Sequence, residues 1–365
     1  MMAFGVVILA DGTRADDLMG ASLVEVHERV WQPTTYYLRY PVVNVDGDLA
    51  PLTDARLAPG ADIAVFQLSE GFNECLVKGQ VFSQQIRLIH GVDGSTVEVI
   101  GADTLIQMDR ETKITQWPNN TSDADAVSKI VENYGLSPEV TATDTKHLED
   151  KRTLIQHDTD LNFCRMLARR NGYLFWVRCD ADLVETAYFA PPPLDDPNPA
   201  VLTINLEKPT LDAFEIQWDV ERPNSVIAQA WDGGAKMPLN AEGIEPPTGF
   251  PDDVPFAEIA PDPRSASLIA AVSDVGDLSA RARGLLLESS WFLTATCTVS
   301  ATRLGRVIRA HSVVKVDGVG TRYSGSYFVT AVKHVIDASD HKMEVTMMRN
   351  GWSAGVDGGL LGGLV

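Results

Sequence analysis

Two stretches of alternating apolar and polar residues, one over the first hundred positions and one after about residue 290, constrain this chain more than any other feature. Alternation with period two puts successive side chains on opposite faces, so both stretches predict half-buried antiparallel strands. The clearest is Ser22–Trp31, where Val24, Val26 and Val30 share one face and Glu25, His27 and Arg29 the other, with Glu28 interrupting the apolar side. Tyr36–Tyr40, Asp62–Leu68, Asn73–Ile89 and Ser95–Ile100 continue the series between turn signals such as Asp46-Gly47-Asp48 and Asp93-Gly94. In the second stretch Trp291, Leu293, Ala295, Cys297 and Val299 alternate with other residues, and His311–Val316 follows. Ser326–Ile336 and His341–Arg349 then read as a hairpin joined across Asp337–Asp340.

Between these stretches the period changes to that of a helix. Val127, Ile130, Val131 and Tyr134 recur at i, i+3, i+4 and i+7, with Thr121 or Ser122 as N-cap and Gly135 as stop. A second helix is expected from Asp158–Asp160 to Asn171-Gly172, leading into the aromatic strand Tyr173–Val177, and a third from Asp277 to Glu288. Residues 191–263 hold fourteen of the twenty prolines, which predicts a crossover with strand patches and a long exposed loop over 232–263. The expected layout is a β domain over 1–115, a small α/β domain over 116–190, the proline-rich crossover over 191–263, a second β domain over 264–350, and a tail over 351–365 with six glycines.

A chain of 365 residues should bury more than one core. Its formal charge of -20, with no local basic patch, opposes nucleic acid and anionic lipid, so no specific nucleic-acid partner is expected. No apolar run approaches the roughly 18 residues of a membrane span, and the first ten residues lack the basic start of a signal peptide. The four cysteines, Cys75, Cys164, Cys179 and Cys297, form no CxxC pair and read as buried thiols of a reducing compartment.

The polar residues that most invite a catalytic or metal reading are His157, Asp158 and Asp160, but acids at that point are what a helix start requires. The seven histidines include neither HxH nor HExxH, and Gly318-Val319-Gly320 lacks the third glycine of a dinucleotide loop. Asp195-Asp196 and Asp252-Asp253 sit among prolines as solvated loop acids. The spacing supplies no catalytic residue, no cofactor site and no metal site, and describes a β-rich α+β protein in which two β domains flank a small helical one.

Four local patterns resemble the late control gene D family of phage tail proteins and the hub portion of valine-glycine-repeat spike proteins. They are Leu76–Val81 with Val97–Asp103, the segment Ala126–Leu136 ending in Tyr-Gly-Leu, the segment Gln156–Phe163 with Leu167–Tyr173 and Phe175-Trp176, and Gly325–His334 with Met343–Thr346. The resemblance spans about residues 75 to 350, without the spike family's OB-like domain and needle. It implies two tube-like antiparallel β-barrel domains flanking the α/β domain, assembling as a homotrimeric ring that adapts a six-fold inner tube to a three-fold spike. The implied partners are a tube or tube-initiator protein, a separate spike protein and other baseplate proteins. Assembly would take place in the bacterial cytoplasm, into a phage tail or injection-system particle. Trp352, Leu360, Leu361, Leu364 and Val365 are candidate partner contacts in the tail. The alternatives are a hub-associated cell-wall hydrolase and a free-standing glycan-binding β protein with Trp31, Tyr36, Tyr37 and Tyr40 as its platform.

Overall fold

The two alternating stretches meet in one 13-stranded sheet. The computed structural model describes residues 5–353 apart from 46–47, 70–71, 91–93, 233–235, 242–248, 252, 261 and 263. Across the sheet the strands run Phe214–Trp218, Leu293–Ser300, His341–Arg349, Gly325–Ile336, Leu23–Arg29, Thr35–Pro41, Thr96–Ala102, Phe72–Arg87, Asp62–Ser69, Val6–Ala10 and Thr13–Arg14. Neighbours on this path are antiparallel, and Ala200–Thr203 joins from the side, parallel to Val313–Asp317. The halves join where Leu23–Arg29 pairs with Gly325–Ile336, in a register running from Arg29 opposite Ala331 to Val24 opposite Ile336. The inward face at that seam is apolar apart from Glu28 and His334, and Val24, Val26, Leu38 and Val99 share one core with Val329, Val332, Val345 and Met347.

Two glycines in the Leu76–Val81 and Val97–Asp103 patterns have a steric reason. A Cβ on Gly79 would lie 1.8 Å from the Ala102 carbonyl oxygen, and one on Gly101 would lie 2.1 Å from the Tyr36 ring. The Tyr36 ring crosses Gly101, and its hydroxyl donates to the Gly79 carbonyl at 3.1 Å. Two neighbouring strands are thereby pinned beneath one buried aromatic.

Three long helices lie where the spacing predicts them: α1 Asp123–Glu132, α2 Asp160–Asn171 and α3 Val275–Ser290. Ser122 caps α1 in a reciprocal box, its Oγ accepting from the Asp125 amide at 3.1 Å while the Asp125 carboxylate accepts from the Ser122 amide at 2.9 Å. α2 ends on Gly172 at φ +70°, a left-handed position that suits glycine. α1 and α2 pack through Val127, Ile130, Val131, Leu161, Phe163 and Leu167 onto Phe175 and Phe189. The latter two belong to a sheet of Ser137–Val140, Glu185–Ala190 and Leu174–Cys179. α3 covers another small sheet, Met237–Ala241, Ser225–Asp232 and Ser265–Ile269, through Leu278 and Ala282.

The 232–263 segment departs from the expected exposed loop. It contains strands Met237–Ala241 and Asp253–Pro255 and a helical turn Phe256–Ile259. Phe250 and Phe256 are buried. Asp253 pairs with the fully buried Arg349, whose Nε donates to Asp253 Oδ2 at 2.7 Å. Proline limits backbone hydrogen bonding, but two buried rings and an ion pair suffice to order the segment around it.

Candidate functional site

The charge that interrupts the Ser22–Trp31 alternation lies at the junction of the fold. Alternation turns Glu28 inward, where it is 6% exposed. Its carboxylate accepts from Arg309 Nε at 2.5 Å and the Ala310 amide at 3.0 Å, and lies 3.1 Å from His334 Nε2. His334 Nδ1 in turn lies 3.0 Å from His341 Nε2. Arg309 also donates to the Cys75 and Leu76 carbonyls at 2.8 Å each, and Arg178 donates to the Ala310 carbonyl at 2.8 Å. One cluster therefore ties both sheet halves to the α/β unit.

Burial pushes the Glu28 carboxyl up, but the Arg309 charge and the His334 hydrogen bond outweigh it and hold it at about 2. Burial lowers His341 to about 3, helped by the adjacent His334. Burial likewise lowers His311 to about 3, where its ring stacks on Trp176 at 4.6 Å. Beside the cluster, burial raises Asp103 to about 7 although it accepts from the Thr34 amide at 2.8 Å and the Leu105 amide at 3.1 Å. The adjoining cavity measures about 20 Å³, room for one water and not for a substrate. The arrangement fastens elements together.

The helix start at His157–Asp160 is also structural. Thr159, one residue before the buried Asp160, is the cap, its Oγ1 accepting from the Asn162 amide at 3.2 Å. Asp160 accepts from Lys113 at 2.5 Å, Tyr134 at 2.7 Å and Gln156 at 2.8 Å. The glycan-platform reading loses two of its four rings, because Tyr36 and Tyr40 are buried in the sheet core. Of the tail candidates, Trp352 is partly buried against its own chain, 5.5 Å from Phe292 and 6.4 Å from Tyr323, with the Arg322 guanidinium 5.0 Å above its ring. Leu360, Leu361, Leu364 and Val365 lie outside the described residues. Among the described residues no group of three or more His, Cys, Asp or Glu side chains is placed to hold a metal ion.

Two surface features were not legible as motifs. A groove of about 380 Å³ opens between the end of α2, α3 and the sheet, with Trp31, Leu287, Trp291, Phe328 and Met348 as its apolar lining and Arg29, Arg169 and Arg222 among its charged residues. Its residues come from segments too far apart for any spacing rule to connect. The outer face of the Ser225–Asp232 sheet carries Ile227, Trp231 and Ile269, exposed by 56%, 64% and 81%.

No curated protein sequence matches this chain. Among solved structures it is similar to a 43 kDa tail protein of prophage MuSo2 from Shewanella oneidensis, at 12% identity and TM-score 0.64, covering 95% of this chain and 98% of that one. A tail protein from Neisseria meningitidis MC58 is similar at 13% identity and TM-score 0.64, covering 94% and 96%. An Escherichia coli component of the type VI secretion system is similar at 13% identity and TM-score 0.55, covering 95% and 77%. At these identities the likeness is one of fold. The family model that matches is that of the Alg8 N-terminal domain, over residues 4–338, a different family from those the local motifs resemble. With most of its length inside that match, the chain belongs to the Alg8 N-terminal domain family.

Proposed function

We propose that this protein is a structural baseplate hub of a contractile phage tail or tail-like injection system, a homotrimer between a six-fold inner tube and a three-fold spike. The observation that carries the reading is the near end-to-end fold match with two tail proteins, in which neither chain has a large part left over. The seam joining two β halves in one sheet supports it, because three copies present six half-sheets to a six-fold tube. The partners are the tube or tube-initiator protein, a separate spike protein and other baseplate proteins, with assembly in the bacterial cytoplasm. The segment carrying Leu360, Leu361, Leu364 and Val365 contacts a neighbouring baseplate or spike subunit once assembled. The family name by itself assigns no reaction to this chain, and the buried cluster around Glu28 is used here for fastening. Deleting the gene in its own genome and imaging induced lysates tests the proposal. Tubes and sheaths without joined spikes are expected; complete, spiked particles would overturn it.

A further inference from the structure

Two of the four buried, free cysteines meet at the boundary between the first β half and the α/β unit. Cys75 lies on the strand Phe72–Arg87, Cys179 ends the strand Leu174–Cys179, and both pack in one small apolar cluster with Ala64 and Phe66. The Cys75 thiol donates to the Cys179 sulfur, and the Cys179 thiol donates to the Asp180 carbonyl at 3.5 Å. That hydrogen bond and burial push the Cys75 thiol up, so it keeps its proton while the chain is reduced. Contacts of neighbouring residues hold the two strands together. Lys78 donates to the Leu183 carbonyl at 3.2 Å and lies 3.8 Å from Glu185, which pairs with Cys179 in the small sheet. Arg309 donates to the Cys75 carbonyl at 2.8 Å, while Arg178, the residue before Cys179, donates to the Ala310 carbonyl at 2.8 Å. Cys164 and Cys297 belong to two other apolar clusters.

We propose that Cys75 and Cys179 form a redox-linked pair that closes into a disulfide in an oxidising medium and locks the first β half to the α/β unit. The oxidant is a small organic disulfide. The thiolate of Cys179, the less buried of the two at 7% against 1% exposure, attacks one sulfur of that oxidant and releases one small thiol. Cys75 then gives up its proton and attacks the Cys179 sulfur of the mixed disulfide, releasing the second small thiol. Two protein thiols are oxidised to one disulfide, the external disulfide is reduced to two thiols, and the two protein protons leave on them. A disulfide forms only where the two side chains already approach each other, and the hydrogen bond between the thiols supplies that approach. The bond closes a loop of roughly 100 residues, long enough for the cross-link to restrict the unfolded chain strongly. In a reducing compartment the pair stays open. The inference does not depend on the hub reading, because it concerns the isolated chain.

The test is incubation of the native, fully reduced chain with glutathione disulfide, after which the remaining thiols are blocked with N-ethylmaleimide in denaturant and the tryptic peptides are mapped by mass. Trypsin sites leave each of the four cysteines on its own peptide. One linked pair is expected, the peptides holding Cys75 and Cys179, while Cys164 and Cys297 carry the maleimide. The thermal unfolding midpoint should rise by about 3 °C or more on oxidation and fall back with dithiothreitol. Cys179→Ser, checked for unchanged native mass and circular dichroism, should lose both effects. A second incubation in urea below the unfolding transition, which speeds local opening, keeps slow access of the oxidant from being read as failure. Four free thiols under both conditions, glutathione adducts without the linked pair, linkage through Cys164 or Cys297, or a linked chain whose midpoint does not move would overturn the proposal.

Discussion

Glu28→Ala is expected to lower the unfolding free energy by about 3–5 kcal/mol, the usual cost of leaving one member of a buried ion pair alone. The size follows from what remains. Arg309 would stay buried against the Cys75 and Leu76 carbonyls with its main counter-charge gone, and the Ala310 amide and His334 would lose their acceptor. Glu28→Leu combined with Arg309→Met removes both charges together and should recover most of the loss, because an apolar replacement of similar volume carries no desolvation cost. Urea titration followed by tryptophan fluorescence reads both variants. A single-variant loss below about 1 kcal/mol, the range of surface pairs, would show that the cluster does not fasten the halves.

Relative to the wild type, His341→Leu should gain about 2 kcal/mol of stability on going from pH 8 to pH 5. The ordinary histidine value is 6.5 and burial lowers His341 to about 3. As pH falls the unfolded chain therefore takes up the proton first, and this residue's share of stability, complete above about pH 6.5, is lost progressively toward pH 3. At pH 5 the ring lies about 1.5 pH units inside that window, and each unit corresponds to about 1.4 kcal/mol. Asp103 works in the opposite sense. Burial raises it to about 7, so the folded chain binds its proton first and gains stability between pH 7 and the ordinary 3.8. The wild-type curve mixes these effects with that of His311, which burial also lowers to about 3, and the difference between variant and wild type isolates His341. A difference that stays constant from pH 8 to pH 5 would contradict the burial assigned to this ring.

How much was legible in the residues differs between local and long-range features. Helix positions and the terminal hairpin follow from period and capping: Ser122, Thr159 and Gly172 act within a few residues of themselves, and the Gly325–Ile336 and His341–Arg349 strands pair across a short turn. Glu28 announced itself as a break in an alternating strand, but its partners Arg309 and His334 lie some 300 positions away and carry no local signal. The union of both β halves in one sheet rests on the seam between Leu23–Arg29 and Gly325–Ile336, and two strands that will pair look alone like ordinary half-buried strands. The proline-rich segment read as an open loop because Phe250, Phe256 and Asp253 are ordered by side chains from other elements, Arg349 among them. The groove was illegible for the same reason, since Trp31, Leu287 and Phe328 become neighbours only after folding.

The most direct test of the hub reading is the native mass of the purified full chain by light scattering, alone and with a candidate spike protein. The account predicts a trimer near three times 39.7 kDa, formed by the chain alone or on addition of the spike. A monomer of 39.7 kDa under both conditions would contradict it.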